Sequence, residues 1–169
     1  LPDDWDLLKE DMAECPVNTE GNCFWSANIC IKKSLFSSIN GFDEGYLIAA
    51  QEDQQLKLDI ERYTGKKILF LKECVVVHPV RFTKLVQQLK KIPKQSKNFS
   101  LYAVKNKDLL KYRSTAAFSW QQYSFHFRRT ANLIKTGKLG SAIISIAWLT
   151  YGIPLNIINV SLLSRTYSK

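Results

Sequence analysis

Histidine is scarce in this chain of 169 residues, which holds only His78 and His126. Its four cysteines (Cys15, Cys23, Cys30 and Cys74) form no C-x-x-C pair. Together these shortages exclude a zinc finger or zinc ribbon, which needs closely spaced sulfur and nitrogen ligands. Glycine-rich phosphate loops, an H-E-x-x-H pattern and a nucleophile elbow are all missing. P-loop, zincin and α/β-hydrolase chemistry therefore have no basis in the sequence. No basic-then-apolar leader follows Leu1, so no signal peptide is read and the cysteines are expected to be reduced, buried thiols of a cytosolic protein.

Acid is the other shortage, and it is one-sided. Residues 81–169 carry sixteen Lys/Arg against Asp108 alone, whereas residues 1–80 carry eight against fourteen Asp/Glu. A chain polarised in this way is expected to turn its basic half toward something anionic: nucleic acid, an acidic lipid surface or an anionic substrate. No RNA-recognition signature accompanies the lysines, which argues against nucleic acid as the partner. Hydrophobic content of 46% with 23% charged residues predicts a folded chain.

Three zones follow from the composition. Residues 1–80 form a compact-looking zone. Phe24–Ile31 is apolar and strand-like, Lys33–Ile39 suits a short helix stopped by Asn40-Gly41, and Glu52–Tyr63 suits an amphipathic helix ended by Gly65. Ile68–Leu71 and Cys74–Val77 are short β-prone runs, the second leading into His78-Pro79. Residues 81–138 form a basic zone in which Leu85, Leu89 and Ile92 recur at helical spacing until Pro93, Tyr102–Arg113 repeats the style, and an aromatic stretch ends in Arg128-Arg129. Residues 139–169 form the last zone, whose first twenty-five positions, Leu139–Leu163, hold no charge. That run is long enough to cross a bilayer, yet Gly152, Pro154, Asn156 and Asn159 interrupt it. A span, a re-entrant or interfacial segment, and a buried helical hairpin all fit the pattern.

Among single residues, Glu52 and Asp53 stand out, because they open a helix. Acids there meet the positive helix end and often only cap it. An aspartate in that place at the mouth of a cleft is also suited to take a proton from a hydroxyl. Asp43 and Glu44 follow Gly41-Phe42, which reads as a solvated turn with an apolar plug. A lone His78 reads as a hydrogen-bonded structural residue, and His126 sits among aromatics without an assigned role.

The order SANICIKKSLF (26–36), INGFDE (39–44), QEDQQLKLDI (51–60), GKKILFL (65–71) and VVVHPVR (75–81) resembles the second half of the GT-A catalytic domain of glycosyltransferase family 2. The likeness covers roughly residues 21–81 and departs from the family at several points. Asn40 stands where the first glycine of a pair usually lies, Asp59 where the helix often carries Arg, and one extra residue precedes Gly65. Nothing before residue 21 corresponds to the family's nucleotide-binding half with its Asp-x-Asp metal motif.

The resemblance implies that Asp53 is the general base of an inverting sugar transfer, with Glu52 shaping the acceptor site. It implies an acceptor-binding role for Phe42, Asp43, Glu44 and Asn28. It also implies that His78 helps to hold a divalent cation (Mn²⁺ or Mg²⁺) on a nucleotide-sugar donor, the main metal ligands lying outside this chain. The expected fold is α/β: a partial GT-A-like mixed sheet with flanking helices, then a mainly helical C-terminal extension. The expected acceptor is a glycan or lipid-linked hydroxyl at the cytoplasmic face of a membrane, with a further N-terminal half or partner chain supplying the donor site. A membrane-associated interaction module that keeps the scaffold without catalysis is the alternative.

Overall fold

The computed structural model describes residues 7–10, 24, 26–74, 76, 81–107 and 115–167. The chain divides into two compact units, one of Glu10–Arg81 and one of Leu1–Lys9 with Phe82–Lys169. Helix dominates both. Six α-helices are described: α1 (Lys33–Ser38), α2 (Glu52–Thr64), α3 (Leu85–Lys105), α4 (Thr115–Lys135), α5 (Leu139–Ala147) and α6 (Ile153–Tyr167). Among the described residues the strands are two, β1 (Leu7–Glu10) and β2 (Arg81–Lys84), and they pair with each other.

The expected α/β fold with its mixed sheet is therefore wrong for the described residues, which are mostly helical. Phe24–Ile31 contains a 3-10 turn, Ser26–Asn28, instead of a strand. Ile68–Leu71 has no regular structure and belongs to no ladder among the described residues. Its polar groups go elsewhere, with the Ile68 N–H reaching Glu61 Oε1 at 3.5 Å. Short apolar runs become strands only where a neighbouring strand takes up their backbone groups. Val75 and Val77 of the Cys74–Val77 run lie outside the described residues, as does His78.

In the first unit, α1 ends where Asn40 and Gly41 both take left-handed backbone angles. The Gly41 N–H returns to Phe36 O at 2.9 Å. A Cβ on Gly41 would stand 2.9 Å from the Phe36 ring, so glycine is required there. Helix α2 buries Gln55, Leu56 and Ile60 on one face, and left-handed Gly65 caps it through a 2.9 Å bond to Glu61 O. Tyr63, expected on the apolar face, is exposed instead.

The second unit is a helical bundle. Helix α3 continues through Pro93 and does not stop there. Gly137 takes a left-handed angle in the turn between α4 and α5, which return against each other. The uncharged run forms neither a hairpin nor a break: α5 passes through a π-helical turn, Trp148–Gly152, directly into α6. Pro154 lacks the N–H that a regular helix would use, and the wider turn just before it absorbs that loss. The whole of Leu139–Thr166 is a single helix long and apolar enough to cross a membrane.

Trp148 joins the three long helical segments. Its ring stacks on His126 of α4 (centroids 5.5 Å apart, planes at 11°) and meets Phe99 of α3 edge-on at 5.8 Å. Burial, followed by the nearby Arg129 charge, holds the His126 imidazole at a pKa of about 4, so it packs as the neutral ring. Gly152 lies directly against the indole; a Cβ there would come within 2.3 Å of Trp148 Cε3. Gly152→Ala must push this buried ring off its partners. We expect it to cost about 1–3 kcal/mol in chemical denaturation, and an unchanged midpoint would contradict the packing.

Candidate functional site

The acidic pair sits at the start of α2, after a residue in an uncommon conformation. Gln51 precedes the helix with φ +74, a left-handed angle that costs a non-glycine residue about 1–2 kcal/mol. This strained entry lets the Glu52 carboxylate accept the Ala50 N–H. Glu52 thereby caps the turn that delivers Asp53, which is the work an acid in a first helical turn does best.

Asp53 is half-buried. Its Oδ1 accepts the Gln54 N–H at 2.8 Å. Burial pushes its pKa above the ordinary 3.8, and the neighbouring Glu52 charge adds to that shift. Backbone N–H groups of Gln54, Ser26 and Asp53 itself oppose it. The outcome is a carboxylate more basic than a surface aspartate, at a helix start, with its proton affinity set mainly by desolvation.

The 3-10 turn Ser26–Asn28 lies against this helix start. Besides the contact of Ser26 with Asp53, the Gln54 side-chain amide donates to Phe24 O. Asn28 belongs to the same turn, but its amide is committed to Cys74 O at 2.8 Å, which anchors the segment after α2. The 41–46 loop is tied to α2 through Tyr46, whose hydroxyl meets Gln55 Oε1 at 3.1 Å. Within that loop Phe42 packs edge-on against Phe36 at 5.8 Å, and Asp43 Oδ1 accepts the Gly45 N–H at 2.9 Å. Glu44 is exposed.

The structure thus gathers Glu52, Asp53 and the Ser26–Asn28 turn, and links the Phe42–Glu44 loop to the same helix one turn further on. Asn28 and Asp43 are occupied in holding backbone. Tyr46, Gln55 and Arg62 take part without having been singled out from the sequence. Gln55 is buried, accepts from Tyr46 and donates to Asp59 Oδ1 at 2.9 Å; Asp59 in turn lies 3.6 Å from Arg62. A glutamine on the inner face of an amphipathic helix was the one visible hint. Arg62 brings a cation to α2 three residues beyond the position where the family's arginine was expected.

Among the described residues no three His, Cys, Asp or Glu side chains come together to hold a metal ion. His78 lies outside them. The chemistry that can be built here is that of the Asp53 carboxylate. No family model matches the chain, and neither does any curated protein or solved structure.

A carboxyl whose pKa is raised by folding works against stability once it is ionised. The deficit is full above its folded pKa and disappears as pH falls below the unfolded value of 3.8. Asp53→Asn keeps an acceptor for the Gln54 N–H and removes the charge. At pH 7 we expect its melting temperature to equal or exceed that of the parent, with the difference closing in acid. A clear loss of stability at pH 7 would make Asp53 a helix cap and nothing more.

Proposed function

We propose that this chain forms the acceptor-side part of an inverting, nucleotide-sugar-dependent glycosyltransferase of family 2 type. The observation that carries the reading is Asp53: a half-buried carboxylate of raised proton affinity at the start of α2, within the ordered run of sequence words that resembles the family. In the proposed reaction Asp53 takes the proton of an acceptor hydroxyl as its oxygen attacks the anomeric carbon. The new C–O bond forms as the bond to the nucleoside diphosphate breaks, the diphosphate carries the electron pair away, and the configuration inverts. A divalent cation on the donor diphosphate belongs to this reading, with its ligands outside the described residues.

Two further features support it. Leu69, Phe70, Leu71 and Val76 are exposed outside regular structure, and apolar residues so placed suit cover by a further segment or a partner chain. The helical unit combines an apolar exterior with many lysines, which suits an acceptor presented at an anionic membrane face, as a lipid-linked or envelope glycan would be.

Asp53→Asn in the full-length protein is expected to lower kcat by about 10²–10⁴-fold, the usual contribution of a general base, with little change in KM for the donor. Near-normal turnover would remove Asp53 from that role, whereas no transfer by the parent protein would favour an interaction module.

A further inference from the structure

The helical unit turns large apolar side chains outward and mixes polar with apolar ones inside. On α4, Trp120, Phe127 and Ile134 recur at seven-residue spacing and are exposed, Trp120 to 74% and Phe127 to 70%. From α5 through the π turn into α6, the exposed large apolar residues are Leu139, Ile143, Ile146, Tyr151, Ile157, Ile158 and Leu162. The interior holds Ile92, Leu101, Trp148 and Ile153, and beside them Ser96, Ser100, Ser145 and Asn156. The polar residues bond across the helices: Ser100 Oγ lies 3.2 Å from Asn156 O, Asn159 Nδ2 lies 3.3 Å from Ser96 Oγ, and Asn156 Nδ2 donates to Gln122 Oε1 at 2.8 Å. A water-soluble bundle seldom turns so many large apolar side chains outward while burying polar ones.

Composition and length allow the Leu139–Thr166 helix to cross a bilayer, since 28 residues reach about 42 Å. Its partner helix argues against that posture. The two bonds that join 96 to 159 and 100 to 156 make α3 and α6 antiparallel. The same register carried forward brings the end of α3, with Lys105 and exposed Lys107, level with the Trp148–Gly152 turn. That turn is the middle of the apolar helix. A crossing helix would therefore hold lysines and the carbonyl end of α3 near the bilayer centre, where neither finds water. Exposed Lys90, Lys94 and Lys97 form a stripe on the side of α3 away from inward-facing Ile92, Ser96 and Ser100.

We propose that Leu139–Thr166 does not span the membrane but lies in its plane, with the bundle seated on an anionic leaflet as a monotopic body. The outward apolar stripes of α4, α5 and α6 enter the acyl-chain boundary, and the lysines of α3 stay among phosphate headgroups and water. The occupant is anionic lipid because the apolar faces and the basic side chains belong to one stretch of chain, residues 82–169, in which Asp108 is the single acid. This inference rests on the membrane part of the proposed function and is independent of sugar transfer.

The test is depth-dependent quenching in phosphatidylcholine–phosphatidylglycerol vesicles. A fluorophore is attached in turn to Ile143→Cys, Tyr151→Cys and Leu162→Cys, with the native cysteines replaced by serine. Lipids carrying quenchers high or low on the acyl chain then report depth. An in-plane helix gives all three positions the same shallow depth. A deep signal at position 151 between shallow ones at 143 and 162 means a crossing helix and overturns the posture while leaving membrane association intact. No binding to these vesicles overturns both. Oriented circular dichroism of the unaltered chain in stacked bilayers of the same lipid checks the result without labels: helix axes in the plane support the proposal, and axes along the normal overturn it.

Discussion

The bundle closes on one packed ring. Trp148 meets Phe99 from α3, His126 from α4 and the bare backbone of Gly152, so a single indole brings three helical segments into register. The ring belongs to the π-helical turn Trp148–Gly152 and lies over the glycine that closes it. The arrangement also needs an uncharged imidazole. Burial supplies that condition by depressing the His126 pKa, and Ser145 completes it by donating its hydroxyl to His126 O at 3.1 Å.

Around that ring the bundle buries Ile92, Leu101, Ile153 and Val160 together with a hydrogen-bonded set of serines and asparagines. Asn156 Oδ1 is buried without a hydrogen-bond partner, and an unsatisfied buried acceptor costs about 1–3 kcal/mol. The same helix faces isoleucine and leucine outward. On the proposed reading, lipid is the solvent for that exterior, and the lysines of α3 set how deep the unit sits.

Parts of this were legible from residues alone. Helix α2 announced itself through an acidic start, Leu56 and Ile60 on one face, and Gly65 at the end. The stop after α1 followed from Asn40-Gly41, whose left-handed angles few other pairs adopt. The sheet was misread because Ile68–Leu71 has the residues of a strand but no strand beside it, and partnership is not written in a short run. The continuity of α5 and α6 was hidden by Gly152 and Pro154, which look like breakers until a π-turn accommodates them. Asn156 and Asn159 looked like interruptions of an apolar run, yet they turn inward, Asn156 to Gln122 of α4 and Asn159 to Ser96 of α3, and leave the outer stripe intact. At the site, the Glu52–Asp53 pair was visible, whereas the Tyr46–Gln55–Asp59 link was not, because it depends on a loop folding back onto the helix.

On the proposed reading, Asp53 and the helical unit serve one purpose. A general base is useful only where an acceptor hydroxyl arrives, and a unit seated on a membrane would restrict acceptors to those carried by it. In this account the hydroxyl oxygen displaces the diphosphate in one step, with no sugar–protein intermediate. The most direct measurement is therefore the anomeric configuration of the product, read by NMR after transfer from a nucleotide sugar of known anomeric form by the full-length protein. The account predicts a product of opposite configuration to the donor. Retention, or no transfer from any of the common uridine, guanosine and thymidine diphosphate sugars, would contradict it.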